Sequence, residues 1–228
     1  MGAMSNGSGQ TPGRTILTFI RHGQSTGNQE LRYGGHGPSP LSERGRHQAR
    51  ATARALQEEP VSALYSSDLP RALETAEAIG GVLGRRPVGE AALRERSLGD
   101  LDGLRFEEVA TRFPESWRRL RAQDPEFRPP GGGETIDEVF DRVSSAVDQM
   151  VAEHRGGHVV AVSHGLAIFH AFAHICGLGS PSRGLPVFML VDNCSLSRFV
   201  HRPPRWRILA INDCAHLGDL ATPELYPA

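Results

Sequence analysis

The stretch Thr15-Ile16-Leu17-Thr18-Phe19-Ile20-Arg21-His22-Gly23-Gln24-Ser25-Thr26-Gly27-Asn28 is an apolar run that stops at a charged pair followed by glycine. Its length and its β-branched and aromatic content suit a strand buried on both faces inside a parallel sheet. A second run, His158-Val159-Val160-Ala161-Val162-Ser163, passes in the same way into His164-Gly165 and a helical pattern starting near Leu166. Strand, histidine, glycine, helix therefore occurs twice. A chain built on that unit is directed to an α/β fold, and in open α/β folds ligands bind at the carboxyl ends of the strands.

The residues at the first junction define a chemistry. A guanidinium, an imidazole and a glycine that lets backbone N–H groups come close suit a phosphate group and a nucleophile to receive it. His164, at a strand's end and a helix's start, is a further anion site. An Arg-His-Gly tripeptide is short, however, and a strand-end histidine is often only a hydrogen-bonded surface residue. The rest of the chain has to decide.

Between the two junctions lies a third. Gly34, Gly35, Gly37, Pro38 and Pro40 make a loop able to wall a pocket, and Ser42 caps a helix with Ala49, Ala53 and Leu56 on its apolar face. Arg44, Arg46, Arg50 and Arg54 fall on the solvated side. Val61 to Ser66 reads as a strand ending at Ser67-Asp68-Leu69-Pro70-Arg71, with Asp68 as cap and Pro70 in the first helical turn. Leu69, Ala72, Leu73, Ala76, Ile79 and Leu83 form that helix's buried stripe, which leaves Arg71 off the stripe near the N-terminus. A cation there is disfavoured by the helix dipole unless an anion is present, or unless it pairs with Asp68 or Glu74.

Residues 92–103 read as a polar loop, and 104–130 as a cap excursion of short helical patterns laid over the sheet, in which Arg118, Arg119 and Arg121 alternate with acids. Thr135 opens a long helix that Gly156-Gly157 ends. Pro186–Val191, Ser195–His201 and Trp206–Asn212 read as further strands, the last two as a hairpin across Pro203-Pro204. His170 and His174 stand four apart on a helix, a spacing that can hold metal, but Phe169, Phe172 and Ile175 around them favour packing.

Composition removes several function classes. The formal net charge is −1, with no basic stripe for nucleic acid or anionic lipid. All 25 Lys+Arg residues are arginine, which excludes Schiff-base chemistry, a lysine base and the P-loop lysine. No run of 18 apolar residues exists to span a membrane. Cys176, Cys194 and Cys214 lack metal-type spacing and read as buried thiols of a reducing, cytoplasmic setting. The expected organisation is a polar tail or expression scar over 1–13, one domain over 14–217 and a C-terminal tail over 218–228.

Three βα junctions thus deliver Arg21 with His22, Arg71, and His164 to one edge of a predicted sheet. Here the chain resembles the histidine phosphatase superfamily, the phosphoglycerate mutase-like proteins. The matching pieces are Arg21 to Asn28, Ser66 to Ala76, Leu93 to Gly99, Gly132-Gly133-Glu134-Thr135 and Val162-Ser163-His164-Gly165, in family order. The resemblance implies a three-layer α/β/α fold with a mostly parallel sheet and a small helical cap. It implies that His22 is the nucleophile, forming a phosphohistidine. Arg21, Arg71 and His164 would hold the phosphoryl oxygens, and Glu95 would be the general acid. Gly23, Ser25, Asn28, Gly35 and Gly165 would line the substrate site. No metal or cofactor is implied. Ser25 stands where many relatives have threonine, and Leu101-Asp102-Gly103 where Trp-Glu-Gly is common; neither removes a catalytic group.

Within that family the expected activity is hydrolysis of a small phosphorylated metabolite. A cofactor-dependent phosphoglycerate mutase is the alternative, with Trp117-Arg118-Arg119 as a carboxylate clamp. The short segment from Glu95 to Gly132 and the missing lysine count against it. A silent binding module of the same fold is the third reading. Arg105, Arg112, Arg118, Arg119 and Arg121 hint at a second anionic group on the substrate, and the oligomeric state stays open, a homodimer included.

Overall fold

Strands apolar on every side chain need cover on both faces, and the fold supplies it with two helix pairs. The computed structural model describes residues 13–185 and 187–222. Its elements run β1 (Thr15–Arg21), α1 (Thr26–Gln29), α2 (Glu43–Leu56), β2 (Ala63–Ser66), α3 (Pro70–Leu83) and β3 (Val88–Gly89). Then come the cap helices α4 (Phe106–Arg112) and α5 (Pro114–Arg121), followed by α6 (Ile136–Glu153), β4 (His158–Ser163), α7 (Gly165–Ile175), β5 (Leu196–Arg202) and β6 (Arg205–Asp213).

The sheet order is β3-β2-β4-β1-β5-β6. The first four strands are parallel, β5 runs antiparallel to β1, and β6 antiparallel to β5. Side chains alternate between the faces. Leu17, Phe19, Val159, Ala161 and Phe199 pack on α6 and α7, while Ile20, Leu64, Val160 and Val162 pack on α2 and α3. This is the expected three-layer α/β/α fold with a mostly parallel sheet. The cap has its own small cluster, in which Leu98, Leu101 and Val109 meet Tyr33, Leu104, Phe113, Trp117 and Leu120. Among the described residues no helix is long and apolar enough to cross a membrane.

The helix starts follow local chemistry. Ser42 and Thr135 accept from the amides of Gly45 and Glu138, as their positions predict. Asp68 does not cap α3. Its carboxylate is held by Arg94 at 2.6 Å, and Leu69 takes the cap position ahead of Pro70. The second strand begins at Ala63, two residues later than its apolar run. The two-residue edge strand β3 is too short to show a period.

Residues 187–191 are not a strand. Both neighbours of β1 are already supplied by β4 and β5, and the Val191 carbonyl instead accepts from Arg21 Nη1 at 2.7 Å. Pro186 lies outside the described residues. Cys176 is exposed rather than buried, at the end of α7, while Cys194 is buried. The tail expected at the N-terminus lies outside the described residues except for Gly13, and so do residues 223–228. Residues 218–222, expected to begin a C-terminal tail, stay bound to α2: Arg44 and Gln48 donate to the carbonyls of Asp219, Leu220 and Ala221.

Phe199 fills the space between the sheet and α7 with no exposure, edge-on to Phe19. Phe199→Ala leaves a cavity there and should lower unfolding free energy by about 3–5 kcal/mol. Urea denaturation followed by circular dichroism measures it, and a loss below about 1 kcal/mol contradicts this packing.

Candidate active site

The parallel order β2-β4-β1 sets three strand ends side by side, and each hands its junction residue to one place. Ser163 lies opposite Arg21, and Val162 opposite both Ile20 and Ser66. His22 follows β1, Arg71 opens α3 after β2, and His164 sits between β4 and α7. Arg21, His22, Arg71 and His164 are all buried.

His22 is fixed in one tautomer. Its Nδ1–H donates to its neighbour's carbonyl, Gly23 O, at 2.7 Å, which leaves Nε2 as a lone pair. Arg71 Nε–H donates to that lone pair at 3.2 Å. Burial, with the Arg71 and Arg21 charges next to it, holds the His22 pKa well below its ordinary value. The imidazole is therefore neutral at neutral pH with Nε2 facing the site. His164 lies beside it, ring centroids 5.0 Å apart, and its Nε2 meets Ser67 Oγ at 2.8 Å. Burial and the same arginine charges push its pKa down as well.

The helical pattern puts Arg71 off the buried stripe, but the structure buries it. Neither suggested acid pairs with it: Asp68 binds Arg94 and Glu74 binds Arg46. Its Nη2 donates to Gly35 O at 2.9 Å, and its buried Nη1 has no partner among the described residues. Burial lowers its pKa only to about 10, so it stays charged at neutral pH. A buried cationic donor aimed at a neutral imidazole is a strong anion site.

Glu95 completes the ring from the polar loop. Its carboxylate accepts from the amides of Arg96 and Leu166, the latter in the first turn of α7. The loop is held from behind by contacts that the sequence did not disclose. Arg142 Nη1 donates to the carbonyls of Ala92 and Arg94 and its Nη2 to Glu95 O, while Nε and Nη2 pair with the Glu134 carboxylate. His36 Nε2 donates to Glu95 O at 2.8 Å, and Asp102 accepts from the His36 and Leu98 amides. The Gly-Gly-Glu-Thr motif thus serves the Glu95 loop through Glu134.

The expected substrate-lining residues divide. Ser25 and Asn28 line the cavity, and Asn28 Oδ1 accepts from Ser25 N and Oγ. Gly165 lies against Arg21 and Glu95. Gly35 lines the cavity and clamps Arg71, and at its φ of +39° a Cβ would strike Asp102. Gly23 is different. Its N–H donates to Thr75 Oγ1, and a Cβ would come within 2.6 Å of Gly45 O, so glycine is required there for packing against α2. Asn193 was missed: its Nδ2 donates to His22 O and to Asn28 Oδ1, from a loop without periodicity.

His170 and His174 do not act together. His174 pairs with Asp148, and His170 is buried against Phe140 and Phe169. Among the described residues no group of three or more His, Cys, Asp or Glu could hold a metal ion.

The sequence profile described as "Histidine phosphatase superfamily (branch 1)" matches residues 17–214. The chain belongs to the histidine phosphatase superfamily. Within this superfamily it is 37% identical over 209 residues to phosphoglycerate mutase-like protein 4 of Arabidopsis thaliana, covering 89% of this chain and 87% of that one. It is 34% identical over 209 residues to a metal-independent phosphoserine phosphatase of the same plant, covering 90% and 84%. A mycobacterial glucosyl-3-phosphoglycerate phosphatase superimposes with a TM-score of 0.75 at 31% identity, covering 88% of this chain and 99% of that one.

Histidines held neutral by burial make this histidine phosphatase fold acid-sensitive. His22, His164 and His170, the last with its pKa lowered to about 3, resist protons that their unfolded counterparts accept below about pH 6.5. Their stabilisation is complete above that pH and declines as pH falls, by about 1.4 kcal/mol per pH unit for each. Urea unfolding between pH 6.5 and 5 should show His170→Leu reducing the slope by about that amount. An unchanged slope contradicts a neutral His170.

Proposed function

We propose that the chain is a phosphatase that hydrolyses a small-molecule phosphomonoester without a metal ion, through a phosphohistidine at His22. One observation carries the reading: the His22 Nε2 lone pair lies against a buried Arg71 whose Nη1 has no partner among the described residues. The first group can attack phosphorus, and the second needs the oxygens that phosphorus carries.

The steps follow from the geometry. A bound phosphoryl group is held by Arg21, Arg71 and His164, and its oxygens replace His22 as acceptor for Arg71 Nε–H. His22 Nε2 attacks phosphorus, the ester P–O bond breaks, and the Glu95 carboxyl gives its proton to the leaving oxygen. Water then attacks the phosphohistidine, Glu95 takes its proton, the N–P bond breaks and inorganic phosphate leaves. The arginines offset the charge spread over the transferring group. The relatives named as phosphatases support transfer to water over return to a second oxygen of a sugar acid.

The test is phosphate release from a panel of phosphomonoesters in excess chelator, beside a 3-phosphoglycerate to 2-phosphoglycerate assay primed with the bisphosphate. Chelator-resistant release is expected, and His22→Ala should lower it by at least about a thousandfold while its circular dichroism stays that of the parent. Isomerisation without release would make the chain a mutase, and full activity in His22→Ala would remove His22 from the reaction.

A further inference from the structure

The cavity that contains His22 extends well past the phosphoryl site. Its volume is about 470 Å³, inside the range of roughly 300–1,000 Å³ typical of pockets that enclose whole drug-sized ligands. Arg21, His22 and Arg71 occupy one end. From there the cap contributes Phe106 and Leu120, the loop after α1 contributes Tyr33, and Leu166, Phe169 and Phe188 close the opposite wall. A three-carbon acid phosphate would leave most of that apolar wall uncovered.

Beyond the phosphoryl end, the arginines that line this space already have partners. Arg96 is buried and donates to the carbonyls of Glu134 and Phe127. Arg32 pairs with Glu30 and donates to Gly103 O. Of the five arginines that hinted at a second anionic group, only Arg121 reaches the cavity, and it lies over the Trp117 ring with further interactions of its own. Arg118 and Arg119 pair with Glu115 and Asp124, and Arg112 lies over Phe113. His170, in the same wall, is neutral at neutral pH and adds no cation. A second anionic group on the substrate would therefore have to displace these partners before it gained a guanidinium of its own.

We infer that the alcohol half of the substrate is bulky and largely apolar, seated between Tyr33, Phe106 and Leu120 on the cap side and Leu166, Phe169 and Phe188 on the other. This rests on the reading of the chain as a phosphatase. Covering such walls removes apolar surface from water on both partners, and that is the binding term available here.

Alkyl esters with similar leaving alcohols isolate this effect from leaving-group chemistry. The probes are propyl phosphate, glycerol 3-phosphate, 3-phosphoglycerate and 2-(2-naphthyl)ethyl phosphate. The naphthylethyl ester should exceed the other three in kcat/KM by about 100-fold, with Phe106→Ala and Leu120→Ala each narrowing that ratio about tenfold. Equal rates across the panel, preference for 3-phosphoglycerate, or a ratio insensitive to both substitutions would overturn the inference.

Calorimetric titration of the same four esters into His22→Ala separates the two claims. If the parent hydrolyses none of them while the variant still binds the naphthylethyl ester most tightly, hydrolysis fails and the apolar pocket stands. If the variant binds propyl phosphate equally well, the pocket assignment falls, whatever the parent's activity.

Discussion

The contact between Arg71 and His22 is the constraint on which the rest of the structure depends. A guanidinium and an imidazole are both costly to bury, and here they are buried together with a second arginine and a second histidine. The arrangement is tenable because burial, with the arginine charges beside it, keeps both imidazoles neutral, and because backbone carbonyls take up much of the guanidinium hydrogen bonding. Gly35 O serves Arg71, and Val191 O serves Arg21. What remains is concentrated positive charge around one lone pair.

The fold can be understood as the means of holding that cluster. Parallel strands buried on both faces bring their carboxyl ends to one edge, and the order β2-β4-β1 puts three junctions in contact range. Packing then fixes the details. Gly23 is pressed on Gly45, Thr75 ties the Gly23 amide to α3, and Asn193 holds His22 O from the far side. Residues 94–98 around Glu95 lie between two short 3-10 turns without regular structure of their own and are held by Arg142, Glu134, His36 and Asp102 instead.

Much of this was legible in the sequence because it rests on periodicity and on junction chemistry. Strands β1 and β4, the helix starts at Ser42 and Thr135, and the convergence of Arg21, His22, Arg71 and His164 all follow from runs and turns that interrupt them. Other features depend on distant partners and leave no local trace. Asp68 looks like a cap until Arg94 takes its carboxylate. Residues 187–191 look like a strand until the sheet has no free position beside β1. Arg142, Asn193 and Ser67 support the site from a helix face, a loop and a turn where nothing about their neighbours marks them. The arginines of the cap hint at a second anion site in sequence, but Arg118 pairs with Glu115 along α5 and Arg119 with Asp124 just beyond its end.

His22 Nε2 is the proposed acceptor of the phosphoryl group. The direct measurement is rapid acid-free quench of the enzyme during turnover of a ³²P-labelled ester, followed by peptide mapping of the label. A base-stable, acid-labile phosphate on the peptide containing His22 is the predicted result. Label on another residue, or none at any quench time while phosphate is released, would contradict it.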